Sequence, residues 1–107
     1  MLFFNQEGTE DVSFVDRLER NISKLEKNIE KEHDEIEKLK GRFENHKITK
    51  AEFNVKKGHK EERIRAMDSR MRVLQGGLVK EKRRLEEKLE EKRRKMEEKA
   101  EKKKILN

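Results

Sequence analysis

Three histidines are the side chains here best suited to proton transfer or metal ligation, and they fall thirteen residues apart, at His33, His46 and His59. A metal site needs ligands converging within about 2 Å of one ion, usually from i,i+3 or i,i+4 pairs on a helix. A spacing of thirteen does not supply that, so solvated histidines are expected. The acidic group Glu32, Asp34, Glu35 and Glu37 offers oxygen ligands, but it lacks the glycine-turned loop of a calcium site and reads as a solvated helix face. There is no cysteine, hence no disulfide, no thiolate nucleophile and no sulfur-ligated metal. No glycine-rich phosphate loop occurs, and the few Ser and Thr residues are accounted for as helix caps. The expectation is a non-enzyme without cofactor, metal or small-molecule ligand, because a pair of helices encloses no pocket in which pKa values are tuned.

Phosphate binding is better supplied. The formal net charge is +6, and residues 76–107 hold 13 Lys/Arg against 8 Asp/Glu. Basic clusters at Lys80-Glu81-Lys82-Arg83-Arg84 and Lys92-Arg93-Arg94-Lys95 make Lys82, Arg83, Arg84, Arg93, Arg94 and Lys95 candidate phosphate contacts. Against this, glutamates alternate with the cations in blocks, which is expected to spread both signs around a helix. No aromatic residue beyond Phe53 is present to stack on a base. Nucleic-acid binding through residues 80–104 is therefore the alternative function.

These side chains must be carried by helices. Val15, Ile22, Ile29, Ile36 and Phe43 recur every seven residues; Leu18, Leu25 and Leu39 fall three after the first, second and fourth, and Glu32 fills the polar gap. An apolar seam sustained over four heptads is the mark of a coiled coil. It predicts helix one over 13–44, capped by Thr9 or Ser13, after an N-terminal tail of residues 1–12. A turn follows at 45–48. Thr49 and Glu52 have capping-box spacing, and Ile48 and Phe53 have the spacing of a hydrophobic staple, so a second helix is predicted from 49 to about 104. So short a connection joins antiparallel neighbours. Residues 1–40 carry 7 Lys/Arg against 11 Asp/Glu and residues 41–75 carry 10 against 5, so folding back sets an acidic helix on a basic one.

Folding about residue 47 or 48 brings Ile29 near Met67, Leu25 near Met71, Ile22 near Leu74 and Leu18 near Leu78, with Glu32 near Arg63 and Ile64. The expected interaction seam is Val15, Leu18, Ile22, Leu25, Ile29, Ile36, Leu39, Phe43, Phe53, Ile64, Met67, Met71, Leu74 and Leu78. Along helix two, Met67, Leu74, Leu78, Leu85, Leu89, Met96 and Ala100 are spaced alternately seven and four apart, an eleven-residue repeat that favours straight packing. Gly76-Gly77 interrupts it and is expected to act as a soft point in a continuous helix. Residues from about 86 should overhang the hairpin, fraying at Lys102-Lys103-Lys104, with Leu85, Leu89, Met96 and Ala100 as a second-partner surface.

Half the residues are charged and 30% are hydrophobic, too few for a layered core but enough for a rod. The fold class expected is all-α: an antiparallel two-helix coiled-coil hairpin with a long, charged C-terminal helical extension. No apolar run approaches a membrane span, and Met1-Leu2-Phe3-Phe4 is too short for a signal peptide's apolar region, so a cytoplasmic location is expected. Leu2-Phe3-Phe4 is expected to fold over the open end of the hairpin, against Val79 and Leu85. A lone two-helix hairpin buries little surface per residue. The function expected is a coiled-coil interaction or scaffold module, self-associating as a dimer of hairpins and binding an unidentified protein partner.

Overall fold

The computed structural model describes the backbone of residues 6–106 and the side chains of residues 13–105. Leu2-Phe3-Phe4 lie outside the described residues. Two helices, α1 (Gln6–Glu44) and α2 (Lys50–Leu106), form an antiparallel hairpin 87 × 27 × 17 Å in extent. At 1.5 Å per residue α2 alone spans about 85 Å, so its 57 residues set the length of the molecule.

Both helices are longer than the sequence led one to expect. α1 begins at Gln6, so Thr9 and Ser13 lie inside it and neither is its cap, and most of the expected tail is helical. Nothing in residues 6–12 forbids helix except the modest propensity cost of Gly8. α2 runs through Lys102-Lys103-Lys104 to Leu106; the cations of its last turn, Lys103 and Lys104, suit the negative pole. Gly76-Gly77 lies within continuous helix.

The reversal is made by backbone bonds. Lys47 N–H donates to the Arg42 carbonyl at 2.8 Å and His46 N–H to the Phe43 carbonyl at 3.0 Å, with His46 at φ 61°. This pair of bonds around one left-handed residue is a Schellman ending, with histidine where glycine is usual. α2 then restarts at Thr49. Its Oγ1 accepts the Glu52 N–H at 3.1 Å, and its carbonyl accepts the Phe53 N–H at 2.9 Å. Ile48, just before the cap, is 8% exposed, and the Phe53 ring stacks on Phe43 with centroids 5.1 Å apart. The aromatic pair closes the turn end of the seam.

The seam is heptad on both sides. On α1, Val15, Leu18, Ile22, Leu25, Ile29, Glu32, Ile36, Leu39 and Phe43 are all buried or half-buried. On α2 the same holds for Phe53, Lys57, Lys60, Ile64, Met67, Met71, Leu74, Leu78, Glu81 and Leu85, at alternating spacings of four and three. The eleven-residue repeat therefore does not govern packing from Met67. Within the hairpin α2 obeys the seven-residue repeat of its partner, because a narrow seam stays covered only while both helices share one period. After Leu85 the longer repeat survives only as the sequence spacing of Leu89, Met96 and Ala100, all of them exposed.

Candidate functional site: an ionic layer and an uncovered stripe

Glu32 is the one polar member of the α1 seam, and the structure places two cations on it. Lys60 Nζ lies 3.4 Å from Glu32 Oε2 and Arg63 Nη1 lies 3.6 Å from Oε1. Lys60 also donates to Glu35. Only 17% of the Glu32 side chain and 19% of the Lys60 side chain are exposed, so the layer sits within the seam rather than on its rim. The Lys60 hydrogen bond, then its charge, holds the Glu35 carboxyl below the ordinary carboxylate range. The Glu35 hydrogen bond in turn raises the Lys60 ammonium above its ordinary value. Arg63 was expected beside Glu32 and is there. Lys60 was not foreseen. It stands one heptad after Phe53 and four residues before Ile64, and that phase was its available signal.

Among the described residues, the ion pairs Glu32 to Lys60, Glu35 to Lys60, Glu32 to Arg63 and Glu19 to Lys82 cross between the helices, and each joins an α1 glutamate to an α2 cation. Their pattern matches the acidic and basic character of the two segments. Such an ionic layer adds less to stability than apolar packing would, but it penalises every register that strands a charge in the seam.

Beyond Leu85 no described side chain of α1 covers the seam face of α2. All residues from 86 to 105 are exposed, including Leu89 at 67% and Met96 at 72%; Ala100 is exposed with them and Leu85 is half-buried. Ion pairs along the helix support this segment, among them Arg93 to Glu90 at 2.5 Å and to Glu97 at 3.7 Å, and Lys95 to Glu91 at 3.5 Å. Arg84 pairs with Glu81 at 2.5 Å, while Lys82 reaches α1. The cations expected to contact phosphate thus lie on several sides of α2 and do not converge.

His33, His46 and His59 are all exposed, and among the described residues no group of three or more His, Cys, Asp or Glu could hold a metal ion. Nor is any helix among them long and apolar enough to cross a membrane. No protein-family model, curated protein or solved structure matches this chain.

Proposed function

We propose that the chain is a cytoplasmic, non-enzymatic coiled-coil interaction module that self-associates through its overhang, with the hairpin as a rigid spacer. One observation carries this: the apolar stripe of α2 continues past the described side chains of α1, with Leu89 and Met96 exposed. A second copy fits the stripe because the spacing is its own reverse. Leu85 and Leu89 are four residues apart, as are Met96 and Ala100, so an antiparallel copy sets Leu85 against Ala100 and Leu89 against Met96 at once. It would also run along α2 in the direction that α1 already takes. The absence of cysteine suits a reducing compartment.

The test uses single cysteines in a chain that has none. Leu89→Cys mixed with Met96→Cys should cross-link on mild oxidation, whereas Met96→Cys alone should not. Cross-linking of Met96→Cys alone would mean parallel pairing. A wild-type chain that sediments as a monomer at all concentrations would remove the self-association itself. Leu89→Glu with Met96→Glu should leave helicity unchanged and abolish the dimer.

A further inference from the structure

Cations that stand apart in a sequence can share one face once the chain has folded back. Two adjoining cavities of about 320 and 340 Å³ form a groove along one side of the hairpin, sharing Asn28 and Arg70. Lys24 and Lys31 line it from α1, Arg63 and Arg70 from α2, with the Asn21 and Asn28 amides between. In each row the members are seven residues apart, so each row keeps one face of the coiled coil. The one carboxylate in the walls, Glu32, is already held by Lys60 and Arg63. Among the described residues, Lys24, Lys31 and Arg70 have no carboxylate partner.

Seven-residue steps from Arg70 reach Gly77 and Arg84 and then Glu91 and Glu98, so this row of cations belongs to the hairpin and not to the overhang. Glu19 and Glu26, seven apart, are on the other flank of α1, where Glu19 meets Lys82.

We propose that this groove, centred on Lys24, Lys31 and Arg70, binds the phosphodiester backbone of a nucleic acid. Paired rows of cations with amide donors between them suit a chain of regularly spaced, strongly charged phosphates. The contact is sequence-independent, since it is made to phosphate rather than to base edges. It does not rest on self-association, because the Leu89 and Met96 stripe lies outside the groove.

The experiment measures fluorescence anisotropy of labelled duplex DNA, duplex RNA and single-stranded RNA with the full-length chain over a salt series. Lys24→Gln, Lys31→Gln and Arg70→Gln together should weaken binding at least about tenfold and flatten the slope of log affinity against log salt by about three. Lys40→Gln, Arg65→Gln and Arg72→Gln remove the same charge from other faces and should change affinity less than about twofold. Circular dichroism melts check that both triple variants stay folded. Equal weakening by the two triples would overturn the groove, leaving only net charge. Absence of salt-sensitive binding, or a polyglutamate peptide that competes as well as the nucleic acid, would overturn the choice of ligand. Retained binding by the Leu89→Glu, Met96→Glu variant would show that the groove acts without the dimer; its loss would overturn that independence.

Discussion

His46 holds the reversal in a conformation that costs energy, and replacing it tests the hairpin by the sign of the effect. Its φ of 61° lies in the left-handed region, where an L-residue costs about 1–2 kcal/mol. Glycine adopts that region freely but gives up about 0.5–1 kcal/mol more backbone entropy on folding. The difference predicts that His46→Gly stabilises the chain by about 0.5–1 kcal/mol. At about 4–8 °C per kcal/mol for a chain of this size, the melting temperature rises by about 2–8 °C. A β-branched residue is worse than histidine at positive φ, so His46→Val should lower it. The side chain is exposed, so neither change disturbs packing. In an uninterrupted helix the signs reverse, because glycine there costs a few tenths of a kcal/mol more than histidine and valine is neutral. Circular dichroism melts at several protein concentrations, needed because association shifts the midpoint, would read the effect. A His46→Gly variant that melts lower beside a neutral His46→Val refutes the turn.

Thr49→Ala with Glu52→Ala should cost about 1–2 kcal/mol, the worth of an N-cap and its box partner, and an unchanged melt would deny α2 its start at Thr49. A Cβ added at Gly76 or Gly77 meets nothing within 4 Å, so Gly76→Ala with Gly77→Ala should stabilise by about 2 kcal/mol; no gain in helicity or midpoint would mean that the segment is not helical in solution. Glu35 has a lowered folded-state pKa, so its contribution is present above the unfolded value of 4.5 and is lost as pH falls through the lowered one. Glu35→Gln should therefore flatten the acid limb of melting temperature against pH, and identical acid limbs would show that the Lys60 contact is not made.

What the sequence disclosed depended on whether the residues concerned were apolar. The α1 seam was legible because eight of its nine members are hydrophobic and the ninth, Glu32, is conspicuous among them. The restart at Thr49 was legible because capping and staple residues have fixed spacing. The α2 seam was only half legible. Lys57, Lys60 and Glu81 occupy core positions with long aliphatic stems and charged tips, Lys57 lying 5.7 Å from the Phe53 ring centroid, and a search for apolar residues passes over them. Passing over Met71 and Glu81 is also what made the eleven-residue repeat begin too early. The groove was hidden for a different reason: Lys24 and Lys31 meet Arg63 and Arg70 only once the chain has folded back.

The change of repeat falls where the described side chains of α1 end, and the residues at that point give a reason for it. Continuing the heptad from Leu85 lands on Lys88, Lys92, Lys95 and Lys99, four ammonium groups along the path that a supercoiling partner would follow. The apolar stripe steps aside by one residue, to Leu89, Met96 and Ala100. Lysine on the heptad phase therefore bars an α1-like helix and leaves only the eleven-residue phase open to a partner. Lys88→Leu with Lys95→Leu would remove the bar and widen the stripe to the pairs 88/89 and 95/96. Two pairing phases then become available, and the exposed apolar area grows. The expected result is a broad mixture of oligomers by sedimentation velocity, where the wild type gives one species. If the double variant keeps the wild-type mass and a single sharp boundary, the lysines do not select the phase. The shift in repeat would then need another cause.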